Sequence, residues 1–427
     1  MQNVFKNRNF RLVFFGALVS ELGAILYSFA VSFYILEISG NNAFLQGLYL
    51  ALCGAVLLLL TPVGGVLGDR FNKAKIMFGC DFAKGGLILA ATLLMVLFRG
   101  NSQHIVILFA AGILGSIVSG IFNPASAALL PHIVAEEKLQ QANSYFSIKN
   151  SLLSIAGVVL AGVLYAALPI QALFFAVGLS YIASGLSEMF IRYEQKQPEE
   201  KLTVKLALSD MGDGLRYLRT QKAIMALLIA ILFINFFLSP VMSNFIPFFI
   251  KTEIASAESY LFDGFLTPEL WLSALTVLIG ISSLITAGIL SVKKQDEKCG
   301  RKITIRLFLQ ACLMILITAA YYVFVDRGAS INVFLIMLCI GSLVIGVLLT
   351  GVNIPINTAI MKTVEKDKLS KVSSIISITA QGLVPISSVL AGIILQSFGS
   401  TALLAVCSIG FMTAALILLF NKAKNEI

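Results

Sequence analysis

Twelve apolar runs recur along the chain, at 10–37, 43–67, 75–98, 103–130, 143–168, 170–191, 223–250, 270–291, 303–325, 331–359, 370–397 and 400–421. Each is near or above the roughly 20 residues that a helix needs to cross a bilayer. In hydrocarbon a spanning segment must satisfy its own backbone N–H and C=O groups, so runs of this kind fold as helices. Composition agrees: 58% of residues are hydrophobic, 12% are charged and the mean hydropathy is +0.93, more apolar surface than a soluble core of this size can use. The expected class is an all-α integral membrane protein with twelve transmembrane helices. Lys6, Arg8 and Arg11 precede the first run, but that run is longer than a signal peptide's apolar region and lacks a small-residue cleavage site, so it is expected to be retained.

The net charge of +9 sits in short loops between the runs rather than along one amphipathic face, which argues against nucleic acid as a partner and for orientation in the lipid bilayer. With the N-terminus inside, all of the 31 Lys and Arg residues except Lys84, Lys149, Arg99, Lys251 and Arg327 fall in cytoplasmic segments. That asymmetry predicts a multi-pass protein of the plasma (inner) membrane with both termini cytoplasmic. Cys53, Cys80, Cys299, Cys312, Cys339 and Cys407 all fall in spans or on the cytoplasmic side, where no disulfide is expected.

One polar loop is written twice. "VAEEKLQQANS" at 134–144 returns as "VEKDKLSKVSS" at 364–374, and the match extends outward from Gly120 and Pro124 against Gly351 and Pro355 to the run 159–162 against 389–392. A matched charged loop between helices indicates duplication rather than shared greasiness. Six spans separate the copies, so they lie on one side of the membrane and the halves are two six-helix parallel repeats related by an axis along the membrane normal. The expected division is an N-terminal bundle over 1–191, a cytoplasmic linker over 192–222 and a C-terminal bundle over 223–427. Within the linker, Leu202, Leu206, Leu215 and Leu218 suggest an interfacial helix.

"GGVLGDRFNKAKIM" at 64–77 has a readable physics: Gly65 and Gly68 allow helices to approach, Asp69 accepts from Arg70 or a helix N-terminus, and Lys73 and Lys75 hold the turn at an anionic leaflet. The segment resembles the loop signature of the major facilitator superfamily, where it acts as a conformational latch. "NRNFRLVFFGALVSELG" (7–23), "NPASAALLPHIVAEEKLQQANS" (123–144) and "DGLRYLRTQKAIMALL" (213–228) look like its macrolide-efflux and enterobactin-exporter branch of drug:proton antiporters. The resemblance implies helices 1, 4, 7 and 10 around a central cavity. The chain departs from the branch twice: Val158 follows Gly157 where a Gly-Pro pair is expected in helix 5, and Ser291 stands where the second-half loop would carry its Asp.

Intramembrane charge supplies the candidate site. Glu21 lies roughly 15 Å into the first span, where an ionised carboxylate must be paired, hydrated or protonated. It reads either as a proton-coupling carboxylate on the cavity or as a structural polar contact, with Ser28 and Ser32 extending its stripe. Lys149, in helix 5 opposite the repeat neighbourhood of Gln381, has three readings: a partner of Glu21, a ligand for an anionic substrate group, or a side chain snorkelling to the interface. Asp81 and Lys84, at i and i+3, are expected to neutralise each other and to serve the loop at 68–75 rather than substrate. Asn235, Asn353 and Asn357 read either as polar lining or as interhelical glue. The phenylalanines of "LFINFFLSP" and "NFIPFFI" are core, lipid-facing or a permissive lining for amphipathic ligands.

No enzymatic constellation is present in the sequence: there is no Walker loop, no Ser, His and Asp share one depth, and His104 and His132 fall at opposite membrane faces, which excludes a shared metal. The expectation is a non-enzymatic, monomeric secondary transporter without a cofactor, driven by the proton gradient and exporting small amphipathic compounds. The alternatives are a lipid or siderophore exporter of the same fold and a transport-dead membrane sensor.

Overall fold

The structure is a computed structural model and describes residues 4–135, 138–194, 222–292, 300–363 and 381–420. The second copy of the repeated loop, 364–374, and nearly all of the linker with its expected interfacial helix lie outside these residues. Among the described residues there is no strand.

The helices are α1 (Arg8–Ile38), α2 (Ala43–Arg70), α3 (Lys73–Leu97) and α4 (Asn101–Ile133). In α5, Leu139–Leu152 opens into a π turn at Leu153–Gly157 and resumes over Val158–Ala167; α6 is Ile170–Met189. Next, α7 begins at Lys222–Pro240 and runs on through two further π turns to Ile254. Then come α8 (Leu270–Val292), α9 (Gly300–Tyr321) and α10 (Ile331–Thr363). Eleven helices among the described residues are long and apolar enough to span a membrane. The last of these, Val384–Phe420, is broken at Gly399, whose φ of 81° is open to glycine and strained for other residues. Divided there, it gives α11 (384–398) and α12 (400–420), the eleventh and twelfth segments.

The chain forms two compact units, residues 1–40 with 52–208 and residues 41–51 with 209–427. The expected division gave all of α2 to the first unit. Its opening turns belong to the second, because Ala43 N–H donates to Gln396 (2.9 Å) and the Gln46 amide to the Ser243 carbonyl (3.4 Å). Within the first unit α6 packs on both α1 and α3, and α3 packs on α4. Within the second, α9 packs on α10 and on α12, where Thr318 and Ser408 share a 2.7 Å hydrogen bond.

The α2–α3 turn is tied down at Asn72. Its side chain accepts from the Lys75 amide (3.1 Å), capping α3, and donates to the Tyr193 carbonyl beyond α6 (2.9 Å). Two expectations for this motif are corrected. Lys73 is only 5% exposed and packed inside the unit, leaving Lys75 as the exposed cation of the pair. The close helix approach is made by Gly64, not Gly65: a Cβ on Gly64 would sit 2.1 Å from the Gly120 carbonyl oxygen, whereas one on Gly65 would meet nothing within 4 Å. Gly68 comes to ordinary contact distance of Ala125 on α4, and Arg70 is exposed; the Asp69 side chain is outside the description.

The duplicated prolines explain that approach. Proline lacks the N–H that would bond the carbonyl four residues earlier, so Pro124 frees the Gly120 C=O and Pro355 frees the Gly351 C=O. The two copies are filled differently. In α4 the freed oxygen faces the bare backbone of Gly64; in α10 the guanidinium of Arg306, from α9, donates to Gly351. Arg306→Ala is expected to strand that oxygen and lower stability in detergent by about 1–3 kcal/mol. In a Pro355→Ala background, where the helix can bond the carbonyl itself, most of the loss should vanish, and equal thermal shifts in both backgrounds would show that the arginine does not serve the proline break.

Candidate functional site

A cavity of about 560 Å³ lies within the first unit, walled by α1, α3, α4, α5 and α6. Its polar wall follows helical spacing: Ser20 and Glu21 on α1, Ser119, Asn123 and Ser126 on α4, Asn143 and Asn150 on α5. The size and mixed lining are those of a small-molecule site.

Glu21 and Lys149 meet on this wall. The Lys149 ammonium donates to the Glu21 carboxylate at 2.5 Å and lies 4.8 Å from the Phe146 ring centroid. The pair is lopsided, since Lys149 is 1% exposed and Glu21 is 47% exposed. Of the three readings of Lys149, the structure shows the pairing with Glu21, with the ammonium buried. Leu153–Gly157, immediately after this lysine, is the π turn of α5, so the helix is interrupted where the expected proline is missing. Gly157 faces Ile25 and Leu22 of α1 there.

Asp81 and Lys84 are also on the cavity wall, which corrects their assignment to the loop alone. They do not form an ion pair. Instead the Lys84 ammonium sits 5.4 Å from the Phe122 centroid and 5.3 Å from the Tyr181 centroid, held by aromatic faces. Asp81 is 1% exposed, and neither of its carboxyl oxygens receives a hydrogen bond.

Other expected lining residues fall elsewhere. Ser28 and Ser32 are outside the cavity, with the Ser32 hydroxyl donating to the Ser28 carbonyl (2.9 Å). The Asn235 amide likewise donates to Ile231 in its own helix (2.9 Å). Asn353 and Gln381 are exposed, and the Asn357 side chain is outside the description. Phe245 and Phe249 are core, packed edge to face with Tyr321 in a buried cluster that Phe334 joins. Sequence reasoning missed the α4 and α5 amides and hydroxyls, although their spacing of three, four and seven marks one helix face. It also missed Glu188, at the end of α6, which is completely buried.

A polar cavity inside an all-helical bundle, in a chain built as a six-helix duplication, defines a membrane protein of transporter architecture. The family model of the Major Facilitator Superfamily matches residues 13–388, and the chain belongs to that family. Among its relatives, the uncharacterized MFS-type transporter YvqJ of Bacillus subtilis (strain 168) is 24% identical over 98% of this chain and 94% of its own. YkuC, another of that organism, is 27% identical over 55% of each chain. Macrolide efflux protein A of Streptococcus pyogenes is 26% identical over 52% of this chain and 55% of its own. The chain therefore spans about half the length of YkuC and of the macrolide protein. In fold it is similar to a bacterial homologue of the iron transporter ferroportin in an inward-facing state, at 17% identity and a TM-score of 0.69 over 97% of this chain and 100% of that one. A peptide transporter of the POT type gives a TM-score of 0.74 at 13% identity over 98% of each chain.

The lopsided pair makes a stability prediction. Glu21→Ala leaves a buried ammonium without its partner and is expected to be destabilising by on the order of 1–3 kcal/mol, whereas Lys149→Met leaves a half-exposed carboxylate that water can hydrate. Thermal unfolding in detergent should therefore rank Glu21→Ala below Lys149→Met, with the double variant recovering toward wild type; the reverse ranking would mean the contact carries little energy.

Proposed function

We propose that this protein is a secondary active exporter of small amphipathic compounds, coupled to protons at Glu21 and working by alternating access in the plasma membrane with both termini cytoplasmic. The observation that carries the reading is the Glu21–Lys149 contact on the wall of a polar cavity. A half-exposed carboxylate bound to a buried ammonium has two states. Ionised, it is held by Lys149; protonated, it loses the charge that holds it, and α5 is freed to shift against α1 at its π turn. The family supplies precedent for rocking of two bundles about a midplane site. Likeness to a macrolide efflux protein supports export of amphipathic cargo. The energy source is the proton gradient, with the membrane potential adding about 2.3 kcal/mol per charge per 100 mV. The protein needs no cofactor in this scheme and acts as a monomer.

The test is a growth-inhibition panel of amphipathic antibacterials in an efflux-deficient host. Wild type is expected to raise tolerance to one or more compounds at least severalfold, a protonophore to abolish the accompanying efflux, and Glu21→Gln to abolish tolerance while the protein stays in the membrane. Efflux that survives the protonophore, or is undiminished in Glu21→Gln, sinks coupling through this residue.

Lys84 favours a second reading of the cargo. Its ammonium faces the cavity between two aromatic rings with no ion pair to Asp81, a setting for an anionic amphiphile such as a lysophospholipid or a catecholate. Under that reading these compounds compete for transport and Lys84→Gln removes the competition; competition that is unchanged in Lys84→Gln rejects it.

A further inference from the structure

Behind the cavity wall, between α1, α3 and α6, lie two carboxyl groups that the Glu21 scheme does not use. Glu188 is completely buried and Asp81 is 1% exposed; none of their four carboxyl oxygens has a hydrogen-bond partner. One residue organises the space between them. Ser184, one turn before Glu188 on α6, lies beside Asp81. Ser184 and Glu188 both crowd the backbone of α1 at Gly16: a Cβ placed there would be 3.3 Å from the Ser184 hydroxyl oxygen, 3.3 Å from Glu188 Oε1 and 3.1 Å from Glu188 Cγ. The Ser184 hydroxyl has one proton and two acceptors beside it, the Gly16 carbonyl at 2.9 Å and the Asp81 carboxyl, so it cannot serve both.

A buried carboxyl oxygen without a donor is satisfied when the carboxyl group carries the proton itself. Charge leads to the same conclusion. Two ionised carboxylates at this depth would repel each other and bury a charge that Lys84 alone cannot fully offset. The other ionisable groups near the pair are Cys80 on α3, Tyr181 on α6, and Glu21 and Tyr27 on α1, while α5 brings a second ammonium, Lys149, which Glu21 already holds. Glu188 lines no part of the cavity whereas Asp81 does.

We propose that Asp81 and Glu188 form a second proton-binding site, which holds one proton at rest and exchanges another with the water of the cavity through Asp81. At rest the singly protonated pair carries one negative charge, matched by Lys84. A proton arriving from cavity water at an Asp81 oxygen makes both carboxyls neutral and leaves Lys84 as an unmatched cation on the wall; on release the proton returns to that water. The site is distinct from Glu21, so a failure of coupling at Glu21 does not touch it.

The experiment is a pH titration of the purified protein in lipid nanodiscs, followed by infrared difference spectroscopy of the carboxylic acid C=O stretch, which needs no identified cargo. Wild type is expected to show a carboxylic acid band that grows as pH falls, to lose it in Asp81→Asn and in Glu188→Gln, and to keep it in Glu21→Gln. Gly16→Ala, which presses on the Glu188 side chain without removing any ionisable group, is expected to shift the band's midpoint, and it serves as the readout should either carboxyl variant fail to fold. A band of constant size at every pH would mean a permanently protonated structural acid, and a titrating band unchanged in both carboxyl variants and in Gly16→Ala would place the proton elsewhere; either result overturns the proposal.

Discussion

Every feature of this protein is constrained by the absence of water from the hydrocarbon, which leaves the backbone to satisfy its own polar groups. Helices do so by default, and the informative places are those where a helix cannot. Pro124 and Pro355 each free one carbonyl; a neighbouring backbone closes in on the first and an arginine from another helix supplies the second. The same ancestral break has thus been solved twice, once by removing a side chain and once by adding a long one. Among the described residues π turns also interrupt α5 and α7 and follow α9 at Tyr322–Asp326, Gly399 breaks the last helix, and the turn in α5 begins four residues after the lysine that holds Glu21.

The same scarcity of water gives intramembrane charges their meaning. Three acids and two lysines gather around one side of the first unit, yet only Glu21 and Lys149 form an ion pair. Lys84 is held by ring faces instead, and Asp81 and Glu188 are buried with one serine hydroxyl between them whose single proton the Gly16 carbonyl also claims. Groups in such settings are few, costly and easily switched, since moving one proton changes the local balance by a full charge. In the second unit Lys251, near the end of α7, pairs with Glu269 at 3.0 Å, both largely buried. That unit's Phe245, Phe249, Tyr321 and Phe334 cluster is a dry core, and Asn235 is spent on its own helix.

The motif at 64–77 shows how far a pattern can be read. Its position between two spans is visible in the letters; that Asn72 caps α3 is what the structure adds. Which glycine touches a neighbour is not visible, because that depends on the rotation of α2 against α4, and the answer is Gly64. Lys73 reads as a surface cation like Lys75, yet the two-residue offset between them, about half a helical turn, puts it on the inner face.

The chain by itself determined that it is helical, membrane-spanning and duplicated, because bilayer thickness and backbone hydrogen bonding leave a long apolar run a single outcome. It also marked Glu21, Lys149, Asp81 and Lys84, since charge in an apolar run stands out wherever the helix packs. Only the tertiary structure decided who meets whom. Partnership across helices depends on their rotation and depth, which residue spacing does not encode; Lys149 therefore finds Glu21 across 128 positions of sequence, while Asp81 forms no hydrogen bond with its neighbour Lys84 and lies beside Ser184 on another helix.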